Sequence, residues 1–188
     1  MRLFHFSEDP NIREFVPRPP LARPEVEPLV WAIEEERSPI YYLPRECPRV
    51  CFWATPETNE QDREFYEGTV SGRMAIAIEF GWLDRVRESA LYRYEFSLGG
   101  FEPLTASRLE SYGAYVSRVS ETPLRVEPMG DLLGRLRDSE VELRLCPNLR
   151  TLAETAATST LHFSLIRMRN CSPAQSSLNS ACHDESAD

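Results

Sequence analysis

A chain of 188 residues with a formal net charge of −9, 41% hydrophobic residues and three Trp, seven Tyr and nine Phe has the length for one domain and the aromatic area for one core. The acidic balance repels a phosphate backbone and excludes general nucleic-acid binding, and no apolar run approaches the ~20 residues of a membrane-spanning helix. Met1-Arg2-Leu3 leads straight into strand-like sequence without the regions of a secretory leader, so a cytoplasmic protein with no membrane partner is expected.

Residues 2 to 7 predict a first strand from their aliphatic and aromatic content. The stretch from Pro10 to Pro28 holds six prolines, which forbid regular structure over most of it and predict an ordered loop or flap. Leu29 to Ala32 reads as a second strand. Glu34 to Arg37 and Ser38 to Leu43 suit a short helix with Ser38 as N-cap, Pro39 at its first position and Pro44 ending it. Val50 to Ala54 is an apolar run of strand length, and Thr55-Pro56-Glu57 opens a predicted helix that continues to about Glu67, where Gly68 stops it.

Arg73 to Phe80 predicts a strand, Trp82 to Ala90 a short amphipathic helix, and Leu91 to Phe96 alternates at period two. Beyond a turn at Gly99-Gly100, Tyr112 to Arg118 and Leu124 to Val126 are further strand candidates. A helical stripe at Asp131, Leu132, Leu133 and Leu136 precedes a strand at Val141 to Leu145. From Leu149 to Arg169 the alanines favour helix, whereas Leu161, Phe163 and Leu165 alternate like a strand; length and flanking residues tilt the reading toward helix. Residues 170–188 predict a disordered tail from their Ser, Asn and Asp content, which leaves 1–169 as a single globular domain. Strands with interspersed short helices and no regular strand-helix-strand alternation define an α+β fold with a mixed, split β-sheet.

Several chemistries are excluded by missing motifs: the phosphate-binding loop, the dinucleotide fingerprint, the nucleophile elbow, H-E-x-x-H and paired C-x-x-C are all absent. Cys47, Cys51, Cys146, Cys171 and Cys182 are odd in number and predict reduced thiols; with three histidines, one of them His183 in the tail, no metal site is expected. His5 shares a strand face with Leu3 and Ser7, while Phe4 and Phe6 point the other way. Two readings stay open for it: a buried histidine bonded to a backbone carbonyl, or a histidine lining a ligand cleft. Glu8 and Asp9 are expected to cap the following turn. Trp31, Tyr41, Tyr42, Phe52 and Trp53 read as core aromatics, except that two adjacent tyrosines cannot both point inward, so Tyr41 or Tyr42 should present its ring to a surface. Arg18, Arg45 and Arg49 follow prolines, where a stiff backbone could hold a guanidinium ready for an anion; solvated surface arginine is the alternative.

Leu3-Phe4-His5-Phe6-Ser7-Glu8-Asp9-Pro10, Pro39 to Tyr42, Pro44 to Ala54, Tyr92 to Phe96 and Ile166 to Arg169 resemble a family of uncharacterised bacterial proteins with no assigned function. More distantly, the His-x-Ser first strand, the second strand followed by a Tyr-bearing helix, and the late strand Tyr115-Val116-Ser117 with Pro123-Leu124 resemble ADP-ribosyltransferase-like folds. That resemblance implies a split-sheet fold that binds NAD or a nucleotide-like small molecule. It implies a ribose on His5 and Ser7, the base on Tyr41 or Tyr42, and Arg18 near the pyrophosphate. The chain departs from the pattern at the catalytic glutamate: the strand around Tyr112 to Ser120 has none, only Glu110 and Glu121 at its flanks. Loss of such a carboxylate removes a few kcal/mol of transition-state stabilisation. An ADP-ribosyl transferase and a non-enzymatic binding or interaction module on the same scaffold are therefore both expected readings: the first needs a cleft beside the first strand, the second a filled one.

Overall fold

The computed structural model describes residues 1–19, 27–104 and 113–173. Ten strands run in chain order: β1 (Leu3–Ser7), β2 (Val30–Glu34), β3 (Arg49–Trp53), β4 (Met74–Glu79), β5 (Tyr92–Phe96), β6 (Glu102–Pro103), β7 (Ala114–Ser117), β8 (Arg125–Pro128), β9 (Val141–Cys146) and β10 (His162–Ile166). Among the described residues four short α-helices lie between them: α1 (Glu60–Thr69), α2 (Leu83–Glu88), α3 (Leu132–Asp138) and α4 (Arg150–Thr158). The class is α+β as expected, and the split sheet takes the form of two sheets. One has six strands in the order β6-β7-β2-β1-β5-β8, every pair antiparallel. The other has the order β10-β3-β4-β9, with β4 and β9 parallel.

The four-stranded sheet is the centre of the molecule. Every residue of β3 and β4 is buried, which is why both read as continuous apolar runs rather than alternating ones. Tyr66 of α1, Val86 of α2, Leu132 and Leu136 of α3, and Ala153 and Ala156 of α4 close over it, and Phe6 and Ile33 of the six-stranded sheet join the same core. The opposite face of the six-stranded sheet carries a second, smaller core of Leu3, Val30, Ala32, Tyr94, Phe96 and Phe101, covered by Phe15 from the proline-rich segment. The described part of that segment, up to Pro19, is held by bridges of Phe15 to Glu121 and Arg18 to Leu29 and straps the sheet; residues 20–26 of the predicted loop lie outside the described residues.

Three predicted elements differ from the structure. The helix expected from Thr55 starts at Glu60, because Thr58 and Thr55 close a turn on each other and Asn59 is the cap, its Oδ1 accepting from the Asp62 amide at 2.7 Å. Gly68 lies inside that helix, which ends at Thr69. Ser38 is not an N-cap: it is the first residue of a 3-10 turn (Ser38–Tyr41) flanked by Arg37, and its hydroxyl donates to the Glu35 carbonyl at 2.8 Å. The segment expected as one helix from 149 to 169 breaks into α4 and β10. Thr160, bound through its amide and hydroxyl to Asp62, marks the break, and β10 then pairs in register with β3, a partner more than a hundred residues earlier that local propensity cannot see.

At the C-terminal end, Cys171 is buried and the Ser172 amide and hydroxyl donate to the buried Glu79 carboxylate. The remainder of the predicted tail, with Cys182 and His183, lies outside the described residues, as do Glu110 and Tyr112. No described helix is long and apolar enough to cross a membrane.

Candidate functional site

His5 sits opposite Tyr94 on the face of β1 that looks toward the small core. The β1–β2 ladder ends at the pair of Phe4 with Ile33, and beyond it His5 Nδ1 lies 2.8 Å from the Trp31 carbonyl oxygen. A carbonyl only accepts, so this contact fixes the proton on Nδ1. The Phe15 ring centroid is 4.8 Å from the imidazole, and Phe15 packs edge-on against Tyr94 and Phe96 at 5.1 and 5.2 Å. The volume beside the first strand on this face is therefore occupied by protein. Burial pushes the His5 pKa down, opposed by the Trp31 carbonyl and reinforced by the charge of Arg45.

A lowered histidine pKa means the unfolded chain takes up the proton first, so stability falls as pH drops below about 6.5. The expected limiting slope is about 1.4 kcal/mol per pH unit. Urea melts of wild type and His5→Gln between pH 7.5 and 5 check this: the variant should lack that component, and identical pH profiles would show that His5 does not titrate differently in the fold.

Ser7, on the same face, is buried and accepts from the Asp9 amide at 3.1 Å; Asp9 Oδ1 in turn accepts from the Asn11 amide at 2.8 Å, the expected turn cap. Glu8 instead reaches the Arg45 amide at 2.9 Å. Arg18 is exposed on its bridge to Leu29. Tyr41 and Tyr42 lie across the sheet, where Phe6 meets them with centroid distances of 6.3 and 5.3 Å. They divide as adjacency requires: Tyr42 is 6% exposed with its hydroxyl 2.9 Å from Ser38 Oγ, and Tyr41 is 37% exposed. The structure thus joins His5 to Ser7 and Tyr41 to Tyr42, and places the two pairs on opposite faces of the six-stranded sheet.

An open volume lies on the tyrosine side. A cleft of about 510 Å³ runs between α3, the end of β2 and the starts of β4 and β9, lined by the arginines Arg73, Arg93 and Arg135 and by the carboxylates Glu35, Glu36, Asp138 and Glu140. Arg73 ties its wall together, Nε donating to the Ser139 carbonyl at 2.7 Å and Nη1 to the Glu36 carbonyl at 2.8 Å. Arg135 Nε donates to the Met129 carbonyl at 3.0 Å. Arg93 lies over the Phe4 ring at 4.7 Å and pairs with Glu127, whose carboxyl is held below the usual range by that guanidinium despite its partial burial. Among the described residues, Arg73 and Arg135 have no carboxylate within ion-pair distance; backbone carbonyls orient them without neutralising them.

No sequence motif flagged these three arginines, which come from the start of β4, the middle of β5 and α3. The nearest signal was the period-two alternation of Leu91 to Phe96; that Arg93 lies on the face opposite His5 follows from the β1–β5 pairing. Among the described residues no group of three or more His, Cys, Asp and Glu side chains is placed to hold a metal ion, and Cys47, Cys51, Cys146 and Cys171 are free thiols.

Fold and site together define an α+β domain of two sheets with a strap-filled outer face and, at the opposite side, a cleft lined by three arginines and four carboxylates. The chain belongs to a family of unknown function, DUF6886, which matches it over residues 4–171, so the expected membership of an uncharacterised family holds. Neither a curated protein nor a solved structure matches the chain.

Proposed function

We propose that this domain is a non-enzymatic binding module that takes an anionic, nucleotide-like small molecule in the cleft between α3 and the two sheets. The observation that carries this reading is the pair of guanidiniums, Arg73 and Arg135, that backbone carbonyls orient and no described carboxylate pairs directly, facing about 510 Å³ of open volume whose acidic lining keeps the site open to only a well-oriented anion. A phosphate oxygen accepting from such donors makes charge-assisted hydrogen bonds, the strong kind. The Phe15 ring against His5 supports the same reading, because it leaves the first-strand histidine a structural task.

A calorimetric titration with ADP, ADP-ribose and NAD tests it. Binding is expected for all three, weakened by about 10- to 100-fold in Arg135→Ala, since a hydrogen bond between charged groups contributes about 1.5–3 kcal/mol. Unchanged affinity in that variant, or no binding by wild type, would overturn the reading.

A second reading rests on Tyr41, whose half-presented ring is the kind of platform a nicotinamide stacks on. There the domain is an ADP-ribosyltransferase-like protein, NAD lying with its ribose at His5 and Ser7, its base at Tyr41 or Tyr42 and its pyrophosphate near Arg18. It requires Phe15 to leave the His5 face and the sheet between His5 and Tyr41 to open, since one NAD must then reach both faces. Nicotinamide release from NAD distinguishes it: turnover abolished by His5→Ala in a folded protein favours the transferase, and no release with intact NAD binding favours the binding module.

A further inference from the structure

Arg49 opens β3 and is 2% exposed, yet its Nε and Nη1 are buried with no hydrogen-bond partner. No described carboxylate lies within ion-pair distance of it. A guanidinium does not shed its proton in a protein, so a buried charge stands here without a counter-charge, which is among the costliest arrangements a fold can hold.

The groups whose fields reach Arg49 are Cys51, Cys47, Tyr41 and Arg167. None supplies a negative charge near neutrality: burial pushes both thiols up to about 12 and raises the Tyr41 phenol. Arg167 makes the imbalance larger. Strand pairing sets Ile166 opposite Arg49, so Arg167 is the next residue along. Its own Nε is buried without a hydrogen bond, 3.1 Å from Glu46 Oε1. It also holds a left-handed backbone, φ 54°, that a side chain rarely adopts and that is kept where the surroundings demand it. Glu46 is shared, accepting from Arg169 Nη2 at 2.6 Å and Asn170 Nδ2 at 3.0 Å. Around this corner Arg167 shares the single ion-pair partner Glu46 with the exposed Arg169, and the buried carboxylate of Glu79 acts on Cys47 without pairing Arg49, so positive charge is in excess.

We propose that the corner formed by the 3-10 turn, the start of β3 and the end of β10 is a phosphate-binding site, with Arg49 as its buried anchor and Arg167 and the Tyr41 hydroxyl as its outer donors. The positive excess calls for an anion, and a phosphate group, at about −1.5 to −2 at neutral pH, answers more of it than a carboxylate does. The way in passes Tyr41 and Arg167, which reach the surface while Arg49 does not. This site is separate from the cleft of Arg73 and Arg135 and goes beyond the function proposed for that cleft.

The test is titration of the full chain with inorganic phosphate, followed by calorimetry and thermal midpoint, with acetate as control. Wild type and Arg87→Ala, a change at an exposed position of α2 outside both sites, should bind phosphate alike, with acetate at least tenfold weaker. Arg49→Met should lose the phosphate site at this corner while keeping the affinity for ADP at the cleft. Arg167→Gly, which relieves the left-handed backbone and so keeps the fold, should bind at least tenfold more weakly. Phosphate binding unchanged in both Arg49→Met and Arg167→Gly would overturn the proposal, and so would absence of binding by wild type. Loss in Arg135→Ala with retention in Arg49→Met would move the anion to the cleft and equally overturn it.

Discussion

Replacing Phe15 by alanine is expected to lower the stability of the domain by about 3–5 kcal/mol, the range for removing a buried aromatic ring. Phe15 is 9% exposed and packs within 5.2 Å, centroid to centroid, of His5, Tyr94 and Phe96. It is also the main apolar anchor of a segment that prolines keep out of regular structure, so its loss uncovers the second core as well as leaving a cavity. At about 2–4 °C per kcal/mol for a chain of this size, the melting midpoint should fall by roughly 10 °C. The His5 pKa should rise toward its ordinary value as water reaches the ring, a change readable by NMR titration. A loss under about 1 kcal/mol with an unmoved His5 would mean that the strap contributes little and that the first-strand face opens readily, which would favour the transferase reading.

The filled face and the open face were not equally legible in the sequence. Leu3, His5 and Ser7 against Phe4 and Phe6 follow from the period of a strand, and the division of Tyr41 from Tyr42 follows from adjacency alone. Which face would be covered did not follow, because the cover is Phe15, brought in by backbone bridges to Glu121 rather than by any local pattern. Arg49 was visible only as one of three arginines following prolines. What separates it from the exposed Arg18 is the position of β3 between β10 and β4, a consequence of pairings that span the chain. The same long-range pairing turned the alanine-rich segment after Leu149 into a helix followed by a strand. The cleft arginines, spread from residue 73 to residue 135, meet only because β4 and β9 are parallel and α3 crosses between β8 and β9.

Arg49→Met is expected to do the opposite of an ordinary core substitution and raise stability in phosphate-free buffer, by about 1–4 kcal/mol. Replacing even a paired buried charge by an apolar side chain of similar volume gains that much, and Arg49 has no described pair to lose. Methionine keeps a long unbranched stem among Cys47, Cys51 and Tyr41 while removing a charge whose desolvation nothing there offsets. Phosphate should reverse the order of the two proteins. Wild type gains about 2.7 kcal/mol at 100 times its dissociation constant and the variant gains nothing, so their urea-denaturation stabilities should cross as phosphate is added. Parallel curves, or a variant less stable than wild type without phosphate, would mean that the guanidinium is compensated inside the fold. Crossing curves would mean that this corner holds a cation whose cost to the apo protein is met by its ligand, as expected of a binding group rather than a structural one.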